Sequence, residues 1–517
     1  MRAVSCDVAV VGSGAGGGTV AAALAPLVRD GKRVLVLERG PRLRDDEFTG
    51  RELEMARTLY ADGGGFLNEE GTLTLAFARA YGGSTVVYTG TSLVAPERVI
   101  EGWDVPGLAH ADVAARSRRY ARENHVHLLD GPEINENNRL FVRGARAAGY
   151  EVRQFPVNVK GCLGSSLCNL GCPNQAKMGT NRVQLPAAEA AGVEVVTRAE
   201  ARRVEPAGDG GGVLDVVVSG AAGGAPGLPS SWEPGRYRIR ARIVVVAAGA
   251  VGTPALLLRS GFGRRLQRLG EGFTCHPAHI LVGEHDRPIT NDVGHPKSYY
   301  VDRAEEEGWV LETCIYFPFV TAKSLVGFGE GNAALMDAYP RLQMILVLAC
   351  DSADAGNRVS VDGDGAPVVH YRFTEAVVRS LTDGARAAAR IFFGAGARRV
   401  HVPTADPPLL ERGEAEWLGY EARLARRVDP GRFLPGRTPV SAAHLMGGCA
   451  MGRDEADSVT DARGRVHGVP WLRVADASLF PDSVEINPYL TIMALADRAA
   501  EAVLEDLGET AAGRGAA

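Results

Sequence analysis

The chain opens with a buried-strand pattern. Residues 8, 10 and 11 are valines in the run CDVAVV, a continuous apolar stretch of the kind that a strand covered on both faces shows. A glycine-rich turn follows, then small residues over 19–27 that suit a closely packed helix, then RVLVLE as a second buried strand. This order predicts a parallel β-α-β unit. Further along, INENNRLFVRGARAAGYEV puts Leu140, Phe141, Ala145 and Ala148 on one face and predicts a helix that Gly149 stops. VEVVTRAEARRVEP begins an antiparallel series, with a long hairpin rich in Gly, Pro and Ser over 207–235. RIVVVAAGAVGTPALLLRSG (242–261) repeats the strand–turn–helix order, with the helix expected to start near Thr253 and Pro254. From about 276 to 440 the pattern shifts to strand-like runs at 299–301, 309–316, 342–348 and 368–373, then a helix rich in Ala and Arg over 375–393. No repeat with a period of about 20–50 residues is present.

In the first turn, Gly12, Gly14 and Gly17 fit G-x-G-x-x-G, and Glu38 ends the second strand. The first glycine permits the tight turn, the second lets backbone approach a pyrophosphate, and the third lets helix and strand pack closely. The helix start supplies N–H donors and a partial positive charge for the phosphates. An acid at Glu38 suits a ribose 2′-hydroxyl and disfavours a 2′-phosphate. The motif alone does not separate NAD from FAD. The sequence therefore predicts an α/β fold, in detail an α+β composite: a split Rossmann-type nucleotide domain plus an antiparallel-sheet-and-helix domain.

Composition narrows the setting. The chain has 517 residues, 45% hydrophobic and 23% charged, and a net charge of −5. No basic block suggests nucleic acid, and no apolar run approaches the about 18–20 residues of a membrane helix. The opening MRAVSCDVAVVGSGAGG lacks the basic, apolar and cleavage-site regions of a leader. A cytoplasmic protein with reduced cysteines is expected.

The carboxy-terminal blocks HLMGGCAMG (444–452) and GRVHGVPWLRVADASLFPDSVEINPYLTIMALADRAAEAV (464–503), with YGGST, VVVAAGAVGTPALLLRSG and GEGFTCHP, resemble the glucose–methanol–choline (GMC) family of FAD-dependent oxidoreductases. The nearest echoes are to cholesterol oxidase and to the long-chain alcohol oxidases and dehydrogenases. The resemblance implies a discontinuous FAD-binding domain (1–100, 182–275 and 441–517) and a substrate or cap domain (101–181 and 276–440). It implies that Gly12, Gly14, Gly17 and Glu38 hold the ADP half of FAD, and that Gly82, Gly83, Ser84 and Thr85 follow the pyrophosphate and ribityl chain. Ala201 falls at the adenine. Asp476 and Ala477 fall at the pyrophosphate end, and Asn487, Pro488 and Leu490 beside the flavin ring. His444 and Asn487 match the catalytic pair. Tyr88 stands where many members have Asn.

Alcohol oxidation needs a base for the hydroxyl proton while hydride leaves carbon for flavin N5. A neutral imidazole suits the first task near pH 7, and Asn487 can orient the hydroxyl without adding charge. The helix starting near Tyr489 would direct its positive end at the flavin. The expected substrate is a mid-sized, apolar or natural-product-like alcohol, with O2 or another acceptor taking the electrons; the chain does not fix the oligomeric state. His276 and His467 carry less weight, His467 as a structural residue. Glu485 is expected at the rim, and Cys449 as a small packed side chain.

Cys162, Cys168 and Cys172 in GCLGSSLCNLGCP are spaced as in an iron–sulfur segment of some sugar dehydrogenases of the same family. Ser165 stands where a fourth cysteine would be. A cluster is possible but not favoured, and no metal ligand set is assigned. Two alternatives accompany the main reading: an electron-transfer subunit with a cluster at those cysteines, and a flavoenzyme of the same fold that does not oxidise alcohols.

Overall fold

The computed structural model describes residues 1–508 apart from 209, 222–224, 328, 405–408, 412–423, 426–427 and 434. The end of the expected 441–517 segment, and parts of 207–235 and 276–440, lie outside the described residues.

Two sheets carry the molecule. The first runs Glu194–Val196, Val34–Leu37, Arg2–Val11, Gly235–Val246, Gly212–Val218, Ala199–Pro206. Strand Arg2–Val11 pairs in parallel with both Val34–Leu37 and Gly235–Val246, so Val8, Val10, Val34, Val36 and Val245 are almost fully buried. This is the apolar run without alternation that a parallel strand covered on both faces requires. The long strand Gly235–Val246 changes partner along its length. Its first half pairs antiparallel with Gly212–Val218, and its last residues pair in parallel with Leu472–Val474. The carboxy-terminal segment thereby joins the first sheet, with Gly235–Val246 between it and the first strand.

The second sheet is antiparallel at its centre, with Ala278–Glu284, Leu342–Ala349, Trp309–Thr313 and Tyr299–Arg303 as consecutive neighbours. Helix Glu375–Gly394 packs on it, and Gly283 meets the Phe392 ring where any β-carbon would intrude. The ends Thr74–Leu75 and Ser441–Ala442 join the same sheet. The α/β class and the split nucleotide-binding sheet expected from sequence are thus present.

Three expectations shift. The first helix spans Ala15–Ala23, starting before position 19, and a separate short helix spans Ala25–Arg29. The helix expected from Thr253 spans Gly249–Arg259, so Pro254 lies inside it. Thr253 Oγ1 accepts from Ala248 N–H at 2.9 Å, which secures the earlier turn. Strand Gly212–Val218 lies within the stretch read as one hairpin, which is two turns. Runs of Gly, Pro and Ser on both sides of a seven-residue strand hid its period.

Close backbone contact fixes the junction of the first sheet with the carboxy-terminal segment. A β-carbon on Gly16 would sit 1.7 Å from the Ala475 carbonyl oxygen, and one on Gly12 would sit 2.2 Å from that of Ala247. The helix start and the ends of three strands therefore meet without side chains between them. Gly16→Ala is expected to lower unfolding stability by about 1–3 kcal/mol, the cost of forced overpacking. Urea denaturation of the two proteins checks this; an unchanged midpoint contradicts the contact.

Candidate active site

The site grows from the segments that leave these two sheets. Residues 444–451 are zipped on both sides: Met446 exchanges backbone hydrogen bonds with Thr274, and Gly447, Cys449 and Met451 donate to the carbonyls of Ala477, Ser478 and Leu479. His444 emerges just after strand Ser441–Ala442. Asn487 and Pro488 lead directly into helix Tyr489–Asp506, which packs on helices Ala15–Ala23 and His110–Glu123. Arg116 ties helix His110–Glu123 to helix Tyr489–Asp506 through Asp497 and Glu501.

A cavity of about 610 Å³ lies over the first sheet. It is lined by Gly12, Gly14, Glu38, Gly83, Ser84, Ala201, Asp476, Ala477 and Pro488, all singled out from sequence, and also by Ser13, Gly249, Leu445 and Ile492. Ser13 joins the two glycine turns. Its hydroxyl donates to Glu38 Oε2 at 2.7 Å and accepts from Gly82 N–H at 3.0 Å. Burial pushes the Glu38 carboxyl up, against the hydrogen bonds from Ser13 and Gly40. Asp476 is also raised by burial, and its oxygens accept from Ser478 N, Thr253 Oγ1 and Gly249 N. It holds the 247–253 turn as well as lining the cavity.

Four predicted residues sit behind the lining. Gly17 packs its α-carbon against the Gly12 carbonyl, and Gly82 adopts a left-handed φ of 99°. Thr85 donates to Gly82 O at 2.7 Å and accepts from Thr180 N–H at 3.1 Å. Leu490 is buried against Tyr120, Tyr489 and Met493.

The donor set suits a dinucleotide. Helix Ala15–Ala23 has no side-chain cap and no acid in its first turn. Its first N–H groups, which have no partner within a helix, lie beside the cavity and favour a phosphate. Gly14 and Gly83 approach so closely that a β-carbon on Gly83 would sit 2.6 Å from Gly14 Cα. This bare floor and the acid at Glu38 fit an ADP moiety, and the volume falls in the range of cofactor sites of about 300–1,000 Å³.

A second cavity, about 20 Å³, abuts His444 and Asn487, with room for about one water. Residues 443 to 445 and 487 to 488 partition the two spaces: Ala443, Leu445 and Pro488 line the large cavity, while His444 and Asn487 line the small one. Leu93, Phe155, Val310, Leu348 and Ile486 form its apolar walls. Asn487 Nδ2 lies 3.1 Å from His444 Nε2. Burial holds His444 well below the usual imidazole range, aided by His276 and Lys297 nearby, so its neutral form is favoured.

Sequence reasoning undervalued His276 and missed Glu312. His276 Nδ1 lies 3.0 Å from His444 Nδ1, and burial brings its pKa down to about 4. Glu485, expected at the rim, lines the small cavity and is held by Arg98 in a two-pronged pair. Glu312, 3.4 Å from Asn487 Nδ2, carried no motif at all. The one available signal for His276 was its place in the GEGFTCHP block. His467 is away from the site, with its Nε2 3.0 Å from Ser458 Oγ, and Cys449 is fully buried.

The three-cysteine loop surrounds the short helix Cys168–Leu170. Among the described residues its three sulfurs do not come within 4.8 Å of one another as a set, the spacing that a single metal ion would need. Cys162 Sγ accepts from Gly164 N–H and Cys172 Sγ from Ala176 N–H, while burial pushes Cys168 up to about 12. Buried Lys177 clamps this loop to the second turn by donating to the carbonyls of Val86, Tyr88 and Cys168. Tyr88 packs against Tyr489, with ring centroids 5.1 Å apart. No helix among the described residues is long and apolar enough to cross a membrane.

Comparison with known proteins agrees with this architecture. Two family models, both described as GMC oxidoreductase, match residues 56–278 and 354–496. An uncharacterized GMC-type oxidoreductase of Mycobacterium tuberculosis is 34% identical over 500 residues, covering 95% of this chain and 74% of its own. A long-chain-alcohol oxidase of Arabidopsis thaliana is 26% identical over 526 residues, covering 95% and 66%. The crystal structure of pyridoxine 4-oxidase from Mesorbium loti shares the fold, with a TM-score of 0.69 at 16% identity, covering 96% of this chain and 98% of that one. With the two models together spanning well over half of its length, the chain belongs to the GMC oxidoreductases.

Proposed function

We propose that this GMC oxidoreductase oxidises an alcohol to a carbonyl compound, with His444 as general base and Asn487 as the group that orients the hydroxyl. The observation that carries the reading is the pairing of His444 and Asn487 at 3.1 Å, immediately beside Ala443, Leu445 and Pro488, which line a cavity fit for FAD. Gly12, Gly14, Glu38, Gly83, Ser84, Ala201, Asp476 and Ala477 would hold FAD along the large cavity, and Pro488 would lie near its reactive end. When bound, FAD supplies a hydride acceptor.

The protein's share is position and proton handling. The substrate hydroxyl would sit against Asn487 Nδ2 and His444 Nε2, and Nε2 would take its proton as the C–H bond breaks. A neutral imidazole does this without first losing a proton of its own, which its low pKa favours. The small cavity has room for about one water, the size of a hydroxyl group, and its apolar walls would contact the carbons beside that hydroxyl; the body of a mid-sized alcohol would enter only as this space widens. The long-chain-alcohol oxidase relative supports that substrate class. O2 or another acceptor would then take the electrons.

Anaerobic flavin bleaching across a panel of alcohols tests the reaction class. His444→Ala is expected to slow bleaching by about 100- to 10,000-fold, the usual worth of a positioned base, while FAD stays bound. Unchanged bleaching in that variant rules out the assigned base. Since burial lowers the His444 pKa, the base is neutral above it and protonated below it. The bleaching rate is therefore expected to stay flat from pH 8 down to pH 6. Stopped-flow measurement of a fall centred at or above 6.5, the ordinary value for an imidazole, contradicts this environment.

A further inference from the structure

The hydrogen-bond chain through the site admits one proton arrangement, and it can be read from one end. Glu312 is 2% exposed and pairs with the Lys297 ammonium. A carboxylate so paired only accepts, so the Asn487 atom facing its Oε1 at 3.4 Å is the amide nitrogen. The same Nδ2, with its second hydrogen, faces His444 Nε2 at 3.1 Å. Nε2 therefore accepts and carries no hydrogen. The ring hydrogen of neutral His444 is then on Nδ1, facing His276 Nδ1 at 3.0 Å, which must accept it. His276 in turn carries its hydrogen on Nε2 and donates to Ser483 Oγ at 2.7 Å.

His276 is held for this task. Its φ of 48° is left-handed, a conformation unfavourable for a residue with a β-carbon. Asp351 fixes it by accepting from the backbone N–H groups of both Cys275 and His276, at 2.9 and 3.0 Å, and from the Tyr371 hydroxyl at 2.9 Å. A strained backbone clamped by a buried carboxylate persists where the surroundings over-determine it. Here it sets the imidazole of His276 edge-on to that of His444, with ring planes 86° apart.

We propose that His276 and Glu312 are positioning residues that hold His444 in the Nδ1–H tautomer, leaving Nε2 as the atom that takes a proton. Glu312 sets the Asn487 amide from one side and His276 takes the Nδ1 hydrogen from the other. Which ring nitrogen is protonated is set by the bond the other one makes. When Nε2 gains a proton, the Nδ1–H bond to His276 becomes charge-assisted and strengthens. The catalytic consequence rests on His444 being the base; the tautomer itself does not depend on any alcohol.

The test is ring 15N NMR of the FAD-loaded protein with 15N-labelled histidine at pH 7.5, the His444 signals being assigned by their loss in His444→Asn. The expected wild-type spectrum shows a protonated Nδ1 and a bare Nε2. His276→Leu, which cannot accept, is expected to shift His444 toward the Nε2–H form. His276→Gln, whose side-chain carbonyl can accept, is expected to restore Nδ1–H. Glu312→Gln frees the Asn487 amide to turn and is expected to give a mixture of tautomers. A wild-type His444 protonated on Nε2 overturns the proposal. Persistence of pure Nδ1–H in His276→Leu, or in Glu312→Gln, removes that residue from the role. With 1-octanol and benzyl alcohol as probes, flavin reduction is expected to fall at least about tenfold in His276→Leu and to recover in His276→Gln, as lost orientation predicts. If neither probe, nor any other alcohol, reduces the wild-type flavin while Nδ1–H is observed, the tautomer assignment stands and the proposed reaction class falls.

Discussion

Everything in this molecule hangs on backbone meeting backbone where the first sheet ends. Gly12 lies against the carbonyl of Ala247, Gly16 against that of Ala475, and Gly83 against the backbone of Gly14. Four segments far apart in sequence converge there with no side chain to separate them. That contact has two consequences. It leaves a bare floor with unclaimed helix N–H groups, the requirement for a pyrophosphate. It also fixes where residue 476 begins, and from there the zipped pair of segments 446–451 and 477–479 sets the height of His444. Because close-packed backbone does not deform gradually, the position of His444 is inherited from the glycine turns.

Desolvation is the second organising force, and it acts differently on the two sides of the partition. In the large cavity, burial raises Glu38 and Asp476, and each is offset by hydrogen bonds from backbone and hydroxyl donors. In the small cavity, burial lowers His276 and His444. Burial thus favours the neutral form on both sides, and at the carboxylates local donors oppose it without reversing it. Lys177 shows the limit of such compensation. Its ammonium finds three carbonyl acceptors, yet burial still brings its pKa down to about 8.

The parts legible in sequence were those written in local chain geometry. Gly12, Gly14 and Gly17 could be read because their role is to lack a side chain at fixed offsets from a strand and a helix. Buried parallel strands could be read because both faces are apolar. The helix Gly249–Arg259 was misplaced because Pro254 usually marks a first turn, whereas the Thr253 hydroxyl and Asp476 secure an earlier start. His276 was undervalued because its meaning lies in a contact 168 residues away. Glu312 was invisible because a carboxylate in a strand is ordinarily a solvent-facing one, and only its pairing with Lys297 makes it otherwise. The three cysteines drew attention by spacing, but the loop that holds them is organised by a lysine outside that pattern.

The partition explains why the family can be read from motifs while the substrate cannot. Residues 443–445 and 487–488 face the large cavity with some side chains and the small one with others. The large side is made almost wholly from the first sheet and its turns, where backbone geometry dictates residue type. The small side takes Val310, Glu312 and Leu348 from the antiparallel sheet and Phe155 and Leu93 from outside both sheets. A strand in that sheet needs only an apolar residue facing its helix; the residue facing the cavity is free to vary in size and charge without disturbing the pairing. On the proposed reading of the small cavity, substrate choice is therefore written in positions that the fold does not constrain. The proposed proton arrangement of His444 draws on both kinds of position: His276 sits on a backbone clamped by Asp351, whereas Glu312 stands on a sheet face that strand pairing leaves free.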